Sequence, residues 1–329
     1  MTDRFTELGL RLRDFRLEDI PASVDIGNRT WPDDPSTVEE EEYHEKTYPQ
    51  ENPRLRLVVE NAEGKFIGVG VCLRPFWMRA PGVYFMWIML DPDWQRRGLG
   101  QALLPRLEAY GRAQGAEKLW TGCREYQAYT IRFLEKAGFH NFGLRFEAVL
   151  DLNTFDEGPF VKAIDRAKQA GFEFTNLITE RAINPAADVL LYELDAETRA
   201  EVPWPGGARS EMTYEQFRQR YFDAPDADPG GILIAKHQGR YAGLTNVRFR
   251  KDGMAHTMMT GVRREYRRQG VALALKLLSF RLIKERGYRQ TLTNNDTANP
   301  PILLLNERLG YQKRPADLQW EKKLRFIRD

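Results

Sequence analysis

Two six-residue segments carry the chemistry most directly legible in this chain: Gln95-Arg96-Arg97-Gly98-Leu99-Gly100 and Arg267-Arg268-Gln269-Gly270-Val271-Ala272. Each follows an apolar, strand-like run and precedes a helical pattern, so each presents a row of free backbone N–H groups at a helix mouth. Glycine at 98 or 270 lets the backbone approach an anion closely. A small residue at 100 or 272 leaves room where the helix begins. Arg96, Arg97, Arg267 and Arg268 add positive charge able to contact or steer phosphate; the alternative role of each is a solvated loop arginine. A pyrophosphate suits such a loop.

The elements that position these loops recur with them. A constant offset of 172 residues takes Arg96 to Arg268, Gly98 to Gly270, Leu103 to Leu275, Gly115 to Gly287, Thr121 to Thr293, Glu135 to Glu307, Gly138 to Gly310 and Phe139 to Tyr311. Ungapped agreement through loop, helix, strand and second helix implies duplication of a whole folding unit. The 329 residues accommodate two units of about 150 each.

Each unit opens with an alternating strand, at Leu10–Arg13 and Gly171–Phe174, followed by helical stretches at about 18–29 and 38–47 or 186–196 and 214–222. Three strands with turn residues between them form an antiparallel meander, at 54–60, 65–73 and 83–90, then at 232–236, 240–250 and 254–262. The signature loop ends the meander, and the helix after it leads by a right-handed crossover to a parallel strand at 117–121 or 289–293. Pro105 lies inside the first of these helices, removes a backbone bond to Gln101 and predicts a bend. A further helix (127–136, 299–308) and a closing strand (about 142–152, 312–324) complete each unit. Residues 153–158 read as a linker and 159–169 as an amphipathic helix bridging two domains, 1–155 and 156–329.

Lysine plus arginine total 49 against 47 acidic residues, a net charge of +2 that gives no general reason to bind nucleic acid or an anionic membrane. Cys72 and Cys123 lack CxxC spacing, as expected of a reduced protein. His44, His140, His237 and His256 are scattered, which argues against a metal. The charged N-terminus and a longest apolar run of only Tyr84–Leu90 predict a cytoplasmic protein with no membrane span.

The order of elements, both loops and the distal segments Leu134–Phe139 and Asn299–Tyr311 together resemble the GNAT superfamily of acyl-CoA-dependent N-acetyltransferases, over nearly the whole chain. The tandem layout is similar to that of mycothiol-synthase-like enzymes. The resemblance implies an α/β fold, a mixed and mostly antiparallel sheet flanked by helices, built twice. It implies acetyl-CoA as cosubstrate, no metal, and the primary amine of a small molecule or peptide as acceptor; a non-catalytic acyl-CoA-binding sensor or scaffold is the alternative.

The same resemblance assigns coenzyme contacts to the two loops, with pantetheine between splayed strands. Backbone N–H groups near Leu90, or near Gly261 and Val262, would polarise the thioester carbonyl. Asn299 matches an asparagine that often contacts the coenzyme, where the first copy has Gln127, and Asn294 adds a polar group at the strand end. The alternative for both asparagines is turn and cap chemistry.

Many relatives carry a tyrosine proton donor at the positions of Leu134 and Asn306. Leucine cannot donate a proton, so the first copy is expected to be degenerate and the second catalytic, with Asn306 and Tyr311 as the candidates to assist the departing sulfur. No base is identifiable. The loops Trp31–Asp34 and Pro203–Gly206 are expected on the acceptor side, with Trp31 and Trp204 against an apolar part of the acceptor or simply anchoring their loops.

Overall fold

A computed structural model describes residues 3–78, 80–202, 211–250 and 252–324; the Pro203–Gly206 loop with Trp204 lies outside them. The chain packs into two compact units, the first made of Met1–Cys123, Gln127–Phe142 and Leu318–Asp329, the second of Arg124–Tyr126 and Gly143–Asp317.

In the first unit the elements run α1 (Arg4–Glu7), β1 (Leu10–Asp14), α2 (Ile20–Thr30), α3 (Val38–Thr47), β2 (Arg54–Asn61), β3 (Phe66–Leu73), β4 (Val83–Leu90), α4 (Leu99–Ala113), β5 (Lys118–Arg124) and α5 (Ala128–Lys136). The sheet order is β1-β2-β3-β4-β5, antiparallel except for the parallel β4–β5 pair. Strand alternation sorts β4 between two faces: Tyr84 and Met86 pack with Leu104 and Leu107 of α4, whereas Phe85, Trp87 and Met89 pack with Ile26 of α2. Helix α4 runs continuously through Pro105.

The second unit contains β6 (His140–Asp151) from Gly143 onward, then α6 (Ala163–Gln169), β7 (Phe172–Asn176), α7 (Leu177–Ile183), α8 (Ala187–Ala200), α9 (Tyr214–Arg218), β8 (Ile232–His237), β9 (Arg240–Phe249), β10 (Met254–Val262), α10 (Val271–Glu285), β11 (Gln290–Asp296), α11 (Pro300–Arg308) and the first half of β12 (Gln312–Lys323). Its sheet order is β7-β8-β9-β10-β11-β6, with β10–β11 the parallel pair. Ala242, Val247 and Ala255 face α10, while Ile232, Ile234 and Leu244 face α7, α8 and α9. A π-turn, Gln219–Asp223, follows α9 directly.

The closing strands differ from expectation. Each copy was expected to finish its own sheet, yet β6 pairs antiparallel with β11 of the second unit from Arg145 to Asp151. The edge of β5 in the first unit is instead covered by the chain's last strand: Leu324 N donates to Glu117 O at 2.8 Å, and Trp120 Nε1 donates to Glu321 at 3.0 Å. The physical reason lies in the duplication itself: equivalent edges accept equivalent strands, so either copy's strand satisfies the same unpaired backbone groups. A cut near residue 155 therefore divides the repeat but not the packed units. The segment expected to bridge the domains forms a short turn at Gly158–Phe160 and then α6, and its Phe160, Ile164 and Ala167 join the core of the second unit beside α10.

One core position in the second unit is costly. Lys276 of α10 is 1% exposed and its Nζ has no hydrogen-bond partner, lying 4.9 Å from the Tyr311 ring centroid. Burial pushes its pKa down from 10.5 to about 7. The first copy has Leu104 at the same repeat position. Because the unfolded chain binds this proton more tightly than the folded one, stability should rise as pH increases from about 7 toward the ordinary lysine range. We predict that Lys276→Leu stabilises the protein at neutral pH by on the order of 2 kcal/mol and flattens that rise. Urea unfolding of both proteins across this range checks it, and a destabilised variant with an unchanged pH slope would contradict it.

Candidate functional site

The two signature loops share one backbone conformation. Arg96 and Gly98 have φ of +60° and +82°, and Arg268 and Gly270 have +64° and +82°. Left-handed residues alternating with right-handed ones turn successive amides toward a common point, which makes an anion-binding concavity at the starts of α4 and α10. Side chains brace the loops identically. Gln95 donates to Leu90 O at 3.1 Å and its repeat partner Arg267 to Val262 O at 3.0 Å; Arg97 donates to Asp93 O and its partner Gln269 to Glu265 O. Arg267 also pairs with Glu201 at 2.6 Å. Arg97 and Arg267 thus hold the loop, whereas Arg268 has no partner among the described residues.

The space before the loops differs between copies. A Cβ added at Gly270 would meet nothing within 4 Å, but one at Gly98 would come within 3.3 Å of Arg4 Nε, which donates to Arg97 O at 2.8 Å. Behind the first loop, Gly100 lies against the Phe133 ring. Leu99 and Val271 are buried anchors at 1% and 2% exposure.

Behind each loop the parallel strands come apart. The β4–β5 pairing ends at Phe85 and Trp120, and the β10–β11 pairing ends at Thr257 and Thr293. Residues 86–90 and 258–262 therefore border a gap on that side, with Leu90, Gly261 and Val262 on its margin. Only the second unit adds a register shift between Thr257 and Met259, where β10 carries one residue more than β9. Such a bulge leaves the extra amide outside the ladder and turns the strand. Gly261 fits close against α8, since a Cβ there would lie 2.6 Å from Thr198 Oγ1.

The asparagines divide in role. Asn299 is at the N-cap position of α11 but its side chain makes no cap bond, which leaves it available to a ligand. Asn294 is exposed and its Nδ2 lies 3.1 Å from His256 Nε2. Asn306 is buried, and its Nδ2 donates to Asn295 Oδ1 at 2.7 Å while its own Oδ1 has no partner. Leu134, at the same repeat position as Asn306, is 2% exposed in an apolar core. Tyr311 sits in the core beside Phe280, with its buried hydroxyl near Thr257 and Thr291 in the paired part of the β10–β11 ladder; burial raises its pKa and keeps it protonated.

On the opposite face of β10, His256 pairs in register with Arg248 of β9. In the sequence His256 is one of four scattered histidines whose spacing marks none of them; its place one residue before the strands part is visible only with the register. Burial, with Arg250 and Arg248 nearby, pushes its pKa down to about 4, so the ring is neutral at physiological pH. Trp31 is half-buried and packs against the cluster of Ile26, Tyr48, Val58 and Met89 in the first unit. Asp91 is buried and bound to Arg29 at 3.1 Å.

Two stretches of the chain, residues 23–139 and 191–311, match the model of the acetyltransferase (GNAT) family. The mycothiol acetyltransferase of Clavibacter michiganensis is 26% identical over 306 residues, covering 91% of this chain and 90% of that protein. That of Thermomonospora curvata is 23% identical over 235 residues, 71% of this chain and 72% of its own length. Among solved structures, a GCN5-related N-acetyltransferase from Sphaerobacter thermophilus superimposes with a TM-score of 0.70 at 18% identity, covering 99% of this chain and 98% of that one. Twin loops, twin parted strands and two separate matches to one family model agree: the chain belongs to the GNAT acetyltransferase family and carries its domain twice.

Proposed function

We propose that the second unit moves an acetyl group from acetyl-CoA to the primary amine of a small molecule or peptide. The observation that carries this reading is the coincidence, in that unit alone, of an open loop at Gly270 with a bulged strand bordering the gap at Thr257–Met259. When bound, acetyl-CoA supplies an activated carbonyl. The residues for holding it are the amides at Gly270, Val271 and Ala272, the free guanidinium of Arg268 and the uncommitted side chain of Asn299. Amides of 258–262 that have no strand partner supply donors for the carbonyl oxygen as it gains charge. Holding amine and carbonyl together in the gap provides much of the acceleration.

Of the two groups proposed to assist the departing sulfur, Tyr311 carries a transferable proton and Asn306 offers only hydrogen bonding. In the first unit, Leu134 and the Arg4 side chain over the loop favour a second role: a copy that binds coenzyme weakly or not at all and does not transfer. The mycothiol acetyltransferase relatives make an amine acceptor the natural first choice, without fixing which amine.

Gly270→Glu puts a side chain on a left-handed residue and a carboxylate at the anion concavity. It should abolish acetyl transfer and weaken calorimetric coenzyme binding by about tenfold or more, while Gly98→Glu should retain more than roughly half the transfer rate, both proteins staying folded with melting points lowered by a few degrees by the left-handed strain. Equal loss in both variants would argue against the second unit as the working site. Release of free thiol from acetyl-CoA over an amine panel separates transfer from mere sensing. Tyr311→Phe should lower kcat by about a hundredfold with coenzyme affinity unchanged; an unchanged kcat would assign the proton to water.

A further inference from the structure

The acceptor face of the second unit holds an arginine cluster whose charges do not balance. Arg199 of α8 is paired with Asp195 at 2.8 Å, and the two share the Tyr221 hydroxyl, each at 2.6 Å. Arg248 of β9 is paired with Asp226 at 2.6 Å, and its second nitrogen donates to the backbone carbonyl of Arg220. Arg220 itself has no carboxylate and no hydrogen-bond acceptor for its guanidinium among the described residues. Two of three neighbouring cations are neutralised in place; the third is not.

The chain geometry makes Arg220 more than a stray surface charge. It lies in the π-turn Gln219–Asp223, whose wide turn sends Tyr221 into the core at 2% exposure and leaves Arg220 exposed beside it. Its main chain is fixed on one side by Arg248 and on the other by the Asp195–Arg199 grip on Tyr221. Arg248 is in turn the register partner of His256, the residue just before Thr257, where β10 and β11 part. Lost solvation and the proximity of Arg199 and Arg248 lower the Arg220 pKa to about 10, and Arg220 in turn helps to depress that of His256. An exposed cation with no hydrogen-bonded counter-ion among the described residues, its main chain held in place close to His256, offers an incoming anion a charge-assisted hydrogen bond.

We infer that the acceptor of the second unit is an anionic amine, with a carboxylate or phosphate seated on the Arg220 guanidinium beside Arg248 and His256. This rests on the acetyl-transfer reading above and narrows its substrate class. A bidentate anion on Arg220 would complete the charge balance of the cluster. The corresponding face of β4 in the first unit presents Phe85 and Trp87 to an apolar cluster, Phe85 lying beside Trp77, and two arginines of that unit, Arg54 and Arg56, share Glu45.

The test uses the full chain saturated with CoA and two matched pairs of probes: L-alanine against L-alaninamide for a carboxylate, and O-phosphoethanolamine against ethanolamine for a phosphate. In direct binding, at least one anionic member should bind about tenfold or more tightly than its neutral twin, and Arg220→Gln should reduce that preference to less than about twofold, with Arg220→Lys recovering part of it. In turnover with acetyl-CoA, the same preference should appear in KM rather than kcat. Which pair shows it identifies the anion. Equal binding of both members in both pairs, no binding of any probe, or an undiminished preference in Arg220→Gln would overturn the inference. Arg220-dependent binding without any acetylated product would leave the anion site standing and refute acetyl transfer instead.

Discussion

The structure turns on a ladder of hydrogen bonds that stops early. Strands β10 and β11 pair in parallel through Thr257 and Thr293 and then part, so the following residues of β10 border a gap instead of a neighbouring strand. Backbone N–H groups withheld from a ladder must be satisfied by something else, and leaving them bare costs on the order of 1–3 kcal/mol each when water is excluded. The bulge at Thr257–Met259, in the pairing of β10 with β9, turns β10 at the point where its pairing with β11 stops. The loop at Arg267–Ala272 then begins α10 at the end of this strand, placing an anion concavity and a line of unused donors on one continuous path.

The duplication shows how the same fold tolerates two different uses. In the second unit, polar residues occupy positions where the first has apolar ones: Asn306 for Leu134 and Lys276 for Leu104. The first unit holds a chain of rings from Tyr48 through Phe76, Trp77 and Phe85 to Trp120, neighbouring centroids 5.2 to 5.8 Å apart, an arrangement that adds stability and fills space. The second spends stability on Lys276 and on an uncompensated Arg220. Unpaired polar groups of this kind persist most readily near a functional site.

Much of this was legible in the chain. The bounds of Val38–Thr47, Val83–Leu90 and Met254–Val262 follow from alternation and helical spacing alone, and the loop geometry follows from Gly98 and Gly270, where only a left-handed residue lets the helix begin. What escaped the sequence was set by tertiary pairing. Nothing local distinguishes β6 from β12 as the partner of β11, because the repeat gives both edges the same needs. The short helix α7 has no helical periodicity long enough to mark it, and a π-turn has no signature distinct from a helix end, so nothing in 214–222 sets Arg220 apart. His256 acquired meaning only once its register opposite Arg248 was known.

The most direct test of the account is a crystal structure of the protein grown with acetyl-CoA. It should show the pyrophosphate on the amides of Gly270–Ala272 and the thioester between β10 and β11 in the second unit, with the bulge amides facing its carbonyl. Coenzyme held only by the first unit, or ordered protein with coenzyme nowhere in that gap, would contradict it.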